Sequence, residues 1–280
     1  MRVGRLSVAL IFAFSAGAGQ GVFAADMLVR MPVDQIAPIA SDWAGPYVGF
    51  ALGGRWTDAN WTTTQFIDPP SLAVGTAVID ASSPDRFTPA GLRLGGYAGY
   101  NWRIGRWLYG LEIDAAWSNA RDTHAGVPGC RIVCNAGFPG PGADSSFIRA
   151  LWDASLRPRV GYIVMPETLI YGTAGIALQG IEVSGTCANT LDDPLCLNSP
   201  PFAAKTQTDR HTLTGWTVGG GIERQFGAWL LRGEYRYSDF GTATGVLFAG
   251  QPSADPGSDA VHYSVSIRTH TATLGLAYRF

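Results

Sequence analysis

The sequence predicts an all-β protein, an eight-stranded antiparallel up-and-down transmembrane β-barrel. Three observations lead to this prediction. Eight segments alternate large apolar residues with small or polar ones, the period of two that is typical of strands between unlike environments. The connections between these segments alternate between tight and long. Aromatic rings lie near the strand ends on the apolar face, as in the girdles of membrane barrels.

The chain begins with a predicted secretory signal peptide over residues 1–24. Two arginines precede a short apolar run, and the small residues of GVFAAD follow, so that cleavage is expected after Ala24 or Ala25. A membrane anchor is the alternative, but the run is short for a spanning helix. Residues 25–42 have scattered prolines and no period, which predicts a linker. Residues 43–280 are expected to form the barrel with four long external loops.

The charge composition argues against nucleic acid as a partner. Removal of the signal peptide moves the formal net charge from −2 to about −4, which is too weak for such a role. All of the 20 basic residues except Lys205 are arginine. Water-facing strands normally use lysine freely, so this composition indicates that much of the surface does not face bulk water.

The first three strands show the clearest alternation. WAGPYVGFALGGRW places Val48 and Phe50 on one face and Tyr47 with glycines on the other. In GLRLGGYAGYNW the second strand alternates in the same way. RIGR then turns the chain into the third strand, WLYGLEIDAAW, whose polar face carries Glu112 and Asp114. These patterns predict strands over about 43–56, 91–102 and 107–117.

Five further strands follow. The fourth, over about 148–162, sets apolar residues against Arg157 and Arg159, and VMPET turns it into the fifth, over 169–178. The sixth spans 212–226. After a Gly-Ala turn the seventh, WLLRGEYRY, sets apolar residues and tyrosines against its charged residues. The eighth is the closing TATLGLAYRF, which alternates up to Phe280. The faces of the fifth strand are not assigned by its pattern.

The lengths of the connections predict how the strands are arranged. Connections after strands two, four and six have a handful of residues, whereas those after strands one, three, five and seven have roughly twenty to thirty, rich in Pro, Gly and Asp. In an up-and-down meander, alternate connections lie at the same end. One end therefore has tight turns and the other has long loops, and no linker divides the strands into two domains.

Alternation alone does not decide which face of the strands is in contact with water. A soluble barrel of the lipocalin type would bury the apolar face in its lumen. Two features favour the membrane arrangement: the opposite face is rich in glycine and free of lysine, and an eight-stranded lumen is too narrow for so many rings. The rings near the strand ends are those of Trp56, Trp102, Trp107, Trp117, Phe226, Trp229, Tyr278 and Phe280.

The same segments resemble a known family. WAGPYVGFALGGRW resembles the W-x-G-x-Y-V-G opening of the opacity-like, outer-membrane immunogenic porin family of Gram-negative bacteria. GYNWRIGRWLYGLEIDAAW, RPRVGY, LIYGTAGIAL, GWTVGGGIE and LRGEYRYSDFG match its later strands in order. This resemblance covers almost all of the mature chain. It implies an eight-stranded barrel in the outer membrane, related to the small OmpA-type barrels. Outer-membrane lipid and the assembly machinery are then the implied partners, with Tyr278 and Phe280 as part of the assembly signal.

Charged residues on the glycine-rich face are the candidate lumen residues. They could line a narrow pore for small solutes, or they could pair with one another and plug the barrel, and we favour the plug. These candidates are Glu112, Asp114, Arg157, Arg159, Glu223, Arg232, Glu234 and Arg236.

Four cysteines lie in two of the predicted loops, Cys130 and Cys134 in one and Cys187 and Cys196 in the next. An even number in an exported chain favours disulfides over a metal site. We expect pairing within each loop, because a local bond needs no specific approach of two loops.

The sequence offers no catalytic, metal or cofactor motif. The four histidines are dispersed, and His124 beside Asp122 or His211 beside Asp209 is typical of ordinary neighbours. The expected role is therefore structural or surface-interactive, with the long loops free to contact an extracellular ligand. A narrow porin is the first alternative, and an outer-membrane hydrolase is the second.

Overall fold

The computed structural model describes residues 43–67, 79–130, 144–187, 205–249 and 260–280. Ten strands form one antiparallel sheet, and no helix in these ranges is long and apolar enough to cross a membrane. The strands are β1 (Gly45–Ile67), β2 (Asp85–Phe87), β3 (Ala90–Ile104), β4 (Trp107–Ser118), β5 (Arg121–Ala125), β6 (Ser145–Met165), β7 (Thr168–Cys187), β8 (Lys205–Phe226), β9 (Trp229–Leu247) and β10 (Ala260–Arg279).

Eight of the ten strands close into a ring. The order is β1, β10, β9, β8, β7, β6, β4 and β3, and β3 pairs back to β1. The short strands β2 and β5 extend the sheet beside β1 and β6. Each strand of the ring pairs with its sequence neighbour, and β1 with β10 closes the seam. The predicted eight-stranded up-and-down barrel is confirmed.

Tight turns join β3 to β4, β6 to β7 and β8 to β9, as the sequence predicts. Two of these turns contain a glycine in the left-handed region, Gly105 and Gly227, each with φ of 62°. A side chain would strain the backbone there, so glycine allows the chain to reverse within two residues. We call this end of the barrel the turn end and the opposite end the loop end.

The strands extend further toward the loop end than the sequence predicts. β1 continues to Ile67 instead of ending near Trp56, and β10 begins at Ala260 instead of near Thr271. Part of the predicted first loop is therefore strand. The reason is the outward face, where polar residues such as Asp58 and Asn60 replace the apolar ones beyond Trp56, so that the hydrophobic alternation fades while the hydrogen-bond ladder continues.

The apolar and polar faces lie as predicted, and the faces of the fifth strand are now assigned. In β7, Leu169 and Tyr171 point inward and Ile170 and Ile176 point outward. The eight aromatic residues near the strand ends all lie on the outward face, with 39 to 70% of each side chain exposed. Several of them pack against a neighbouring ring, as Trp107 does against Tyr162 at the turn end.

The interior is filled by four layers of side chains. An apolar floor closes the turn end, where the Trp43 indole N–H donates to the Pro166 carbonyl oxygen at 3.0 Å. A charged layer follows, and above it a layer of hydroxyl and amide groups, in which Thr57 and Thr269 lie 3.1 Å apart. The loop end is filled by a second apolar cluster around Trp61. Charges are therefore enclosed between two apolar layers.

Candidate functional site in the barrel lumen

The charged layer consists of side chains that point inward from six strands, β1, β3, β4, β6, β8 and β9. Because the strand period is two, inward positions on neighbouring strands meet across the narrow lumen. The layer contains six arginines and five carboxylates, every one at most 7% exposed at its side chain. They are Arg55, Arg93, Arg157, Arg159, Arg232, Arg236, Glu112, Asp114, Asp153, Glu223 and Glu234.

Glu112 is the centre of the part nearer the turn end. Its carboxylate accepts from Arg157 at 2.7 Å and from Arg232 at 2.5 and 3.0 Å. The Tyr47 hydroxyl donates to the same carboxylate at 2.7 Å. Arg232 also lies 2.8 Å from Glu223. Each of these groups serves more than one partner, so the network is joined across the whole lumen.

The part nearer the loop end has fewer carboxylates than arginines. Asp153 accepts hydrogen bonds from Arg55, from Arg93 at 2.6 Å and from Arg236 at 2.9 Å. Asp114 accepts from Arg236 at 2.9 Å and from Arg93 at 2.5 Å. Two carboxylates therefore share three arginines here.

Tyrosine rings pack against the arginines and exclude water from them. The Arg159 guanidinium lies 4.1 Å from the Tyr171 ring centroid, and Arg232 lies 4.1 Å from that of Tyr97. Such cation–π contacts strengthen when both partners are desolvated. Tyr171 also donates its hydroxyl to Glu234 at 2.6 Å. Removing one partner of an ion pair in the charged layer would leave an uncompensated buried charge, which is strongly destabilising.

The structure places all eight lumen candidates of the sequence in this network. Sequence analysis missed three further members, Arg55, Arg93 and Asp153. The alternation could have identified them, because each lies on the glycine-rich face of its strand, the face that points inward. Arg55, for example, is an even number of residues from Tyr47 along β1, and Tyr47 also points inward.

At the turn end, Phe280 and Tyr278 point outward from the last strand. The two rings pack edge to face with centroids 5.2 Å apart, and 70% of the Phe280 side chain is exposed. The Phe280 N–H donates to the Pro46 carbonyl oxygen at 3.1 Å, which ties the last residue to β1.

Cys130 and Cys187 are each in a disulfide bond. Their expected partners, Cys134 and Cys196, lie outside the described residues, so pairing within each loop stays a prediction. Both described cysteines pack into the apolar cluster of the loop end. Within the described ranges there is no group of three or more His, Cys, Asp or Glu that could hold a metal ion.

The histidines lie outside the charged layer. His124 is 2.7 Å from Asp85, and its other ring nitrogen is 3.4 Å from Asp122. His211 approaches the Tyr263 hydroxyl at 2.8 Å.

Tyr263 in turn donates its hydroxyl to Asp209 at 2.9 Å. Burial and the Asp209 carboxylate both raise the pKa of Tyr263, so it stays protonated as the donor. This chain of hydrogen bonds joins β8 to β10 near the loop end. His262 and His270 lie on β10, where His270 stacks on Trp56 at the outward face.

A closed antiparallel barrel with an apolar, aromatic-ringed outward face and a self-paired polar interior defines the class of transmembrane β-barrels. The chain matches the family model of the outer membrane protein beta-barrel domain over residues 6–280, and it belongs to that family. The family resemblance in the sequence is thus confirmed. The protein is an outer-membrane protein, and its apolar outward face is the face toward lipid.

Two proteins of similar sequence are named outer-membrane proteins, which agrees with this assignment. The chain is 30% identical over 238 residues to the 25 kDa outer-membrane immunogenic protein of Brucella abortus, covering 83% of this chain and 82% of the relative. It is 27% identical over 278 residues to the 31 kDa outer-membrane immunogenic protein of Brucella melitensis, covering 98% and 97%. Among solved structures it is similar to OprG from Pseudomonas aeruginosa, at 15% identity and a TM-score of 0.48, covering 85% of this chain and 96% of that one.

Proposed function

We propose that this outer-membrane barrel is closed to solutes and acts as a structural element of the envelope whose loop end contacts other molecules. One observation carries the proposal: a charged layer in which every group takes part in an ion pair lies between two apolar layers, across the lumen of the part of the barrel that the structure describes. A solute entering from the turn end would first meet the floor formed by Leu108, Leu169 and Leu230, none more than 1% exposed.

The charged layer is itself a barrier. An ion that crossed it would have to replace ion pairs such as Arg157 with Glu112 and Arg159 with Glu223, at 2.7 and 2.9 Å. Separating buried partners leaves each charge without solvation, which costs several kcal/mol per ion. The arrangement therefore supports a plug over the alternative of a narrow porin.

Planar-bilayer recording tests the closed lumen. The purified, refolded protein is expected to give no steady conductance, while gel mobility without boiling verifies that the same sample is folded. A double variant, Leu108→Ala with Leu230→Ala, removes apolar floor without touching a charge and is expected to stay closed at the charged layer. Steady, reproducible channels from the wild-type protein would establish the narrow porin instead.

We propose further that the protein has no catalytic role. Outside the charged layer, His124 lies between Asp85 and Asp122, and a chain of hydrogen bonds runs from Asp209 through Tyr263 to His211. These groups satisfy one another between two strands, as structural hydrogen bonds do. Peptide and lipid substrates are expected to survive incubation with the protein. A cleaving activity that is lost in His211→Ala or His262→Ala would establish the hydrolase.

The partners we propose are outer-membrane lipid, the outer-membrane assembly machinery and an extracellular ligand of the long loops. The lipid-facing surface and the outward aromatic rings support the first, and the outward position of Phe280 supports the second. A strain that lacks the gene tests the third. We expect altered envelope integrity or altered surface binding with unchanged permeability to small solutes, and restored behaviour when the gene is returned.

A further inference from the structure

The charged layer contains a cavity. It has a volume of about 10 Å³ and lies between the two halves of the network, beside Arg93, Arg157, Arg232, Asp114, Glu234 and Tyr97. A space of this size accommodates one particle as large as a water molecule. Because the walls are polar and charged, the cavity is unlike the apolar voids that remain dry.

The charges around the cavity do not balance. Three arginines and two carboxylates line it, and the whole layer has six arginines and five carboxylates, all nearly inaccessible to solvent. The half nearer the turn end is balanced, with three arginines and three glutamates, so the excess of one positive charge belongs to the half nearer the loop end, which contributes Arg93 and Asp114 to the cavity wall. An unpaired charge in a region of low dielectric is strongly unfavourable. A water molecule would solvate this excess only in part, whereas an anion would cancel it.

Two residues that line the cavity carry a buried donor without a partner among the described residues. The Tyr97 hydroxyl and the Arg157 Nε are buried and make no hydrogen bond to any described residue. Tyr97 is 5% exposed, and its ring is held in place by Arg232 stacked at 4.1 Å. Buried donors are normally satisfied, and each unsatisfied one costs about 1–3 kcal/mol. Because Tyr97 and Arg157 both line the cavity, an acceptor placed there is the simplest partner for the two donors.

We propose that the cavity binds one small monovalent inorganic anion of the chloride class, which completes the plug. The anion neutralises the excess charge and accepts from Tyr97 and Arg157. Larger anions such as gluconate exceed the space. The anion enters while the barrel forms, because both apolar layers close over it afterwards. This site lies inside the closed lumen of the proposed function, yet the two can fail separately, since conductance does not report on a trapped ion.

Thermal unfolding in detergent tests the site. The protein is refolded from urea in sodium chloride or in sodium gluconate of equal ionic strength. If chloride is present at a hundredfold excess over its Kd, the unfolding midpoint is expected to be roughly 5–10 °C higher in chloride. In crystals grown with bromide, an anomalous peak is expected beside Tyr97. Equal midpoints in the two salts, or a cavity that holds only water in the bromide crystals, would overturn the proposal.

A variant that carries its own anion provides a second test. Thr273 lines the cavity, and Thr273→Asp would place a carboxylate there in nearly the same volume. We expect the chloride dependence to be lost and the bromide peak to disappear. Thr62→Asp is the matched control, because Thr62 is exposed on the outward face of β1, and it should retain the full chloride dependence. If Thr273→Asp does not fold, the bromide measurement on the wild-type protein still decides.

Discussion

At the scale of single residues, Glu112 is a centre of the lumen network. It contacts Arg157, Arg232 and the Tyr47 hydroxyl, and Arg159 lies 3.6 Å away. Glu112→Gln keeps the shape but removes the charge, so the uncompensated arginines should lower the free energy of unfolding by about 3–5 kcal/mol. Chemical unfolding of the refolded protein in detergent measures the change.

The control for this variant is Glu167→Gln at the turn end. Glu167 lies 3.8 Å from Arg224, and both side chains are 61% exposed. Exposed pairs contribute about 0–1 kcal/mol, so this variant should be nearly neutral. Equal losses for Glu112→Gln and Glu167→Gln would show that the lumen pairs carry no special share of the stability.

Phe280 offers a prediction of a different kind. Its ring is mostly exposed to lipid, and burial of a whole phenylalanine is worth only about 1.5–3 kcal/mol. Phe280→Ala should therefore refold nearly normally in detergent. The family resemblance implies that Phe280 is part of the assembly signal. Less of the variant should therefore reach the outer membrane in cells, as measured by immunoblot of membrane fractions.

Leu274→Ala is the matched control, since Leu274 is on the same face of β10 and is also 70% exposed. It should reach the membrane at the wild-type level. Normal amounts of Phe280→Ala in cells, combined with a large loss of refolded stability, would mean that the ring acts through packing and not through recognition.

At the scale of elements, the strands continue past the lipid-facing band into a second apolar core. Trp61 is fully buried there, with its ring 5.1 Å from Tyr263 and 5.9 Å from Phe87. Replacing it by alanine leaves a large cavity, for which losses of about 3–5 kcal/mol are typical. We expect Trp61→Ala to destabilise the loop end, so that amide exchange becomes faster in β2 and at the start of β10. The strand segments that carry the charged layer should remain protected from exchange.

The control is Trp117→Ala, because Trp117 lies on the outward face and is 52% exposed. It should leave exchange at the loop end unchanged. Uniform acceleration along every strand in Trp61→Ala would indicate instead that both halves unfold as one unit.

The cysteine pairing also belongs to this scale. Cys130 follows β5 and Cys187 ends β7, and each is disulfide-bonded. Non-reducing peptide mapping is expected to recover Cys130 with Cys134 and Cys187 with Cys196. A peptide that joins Cys130 to Cys187 or to Cys196 would contradict local pairing.

The strands and turns also show which parts of the fold can be predicted from the sequence. The barrel, its turns and its faces follow from local alternation, because between lipid and lumen the two faces of a strand differ strongly. Beyond Trp56 that contrast disappears, so the extensions of β1 and β10 were not predicted. Arg55, Arg93 and Asp153 were missed for another reason: Arg55 and Arg93 form ion pairs with Asp153 across the lumen, between strands that do not pair with each other.

At the scale of the whole molecule, closure of the ring predicts resistance to detergent. Every strand of the ring is paired on both sides, so no backbone edge is free in the lipid. The folded protein should therefore migrate differently from the boiled protein on a gel that contains dodecyl sulfate. Identical migration of boiled and unboiled samples, with recovery in the soluble fraction, would be incompatible with the closed barrel.

The seam between β1 and β10 has a kinetic consequence. It runs from Tyr47 opposite Arg279 to Ile67 opposite Ala260, so its partners are separated by most of the chain. Contacts of such high contact order form slowly, because the entropy of closing a long loop must be overcome before they contribute. Until β10 arrives, the ladders of β1 and β9 each present a bare edge on which another chain could add. The interval between export and closure is therefore the period in which this protein is most prone to aggregate.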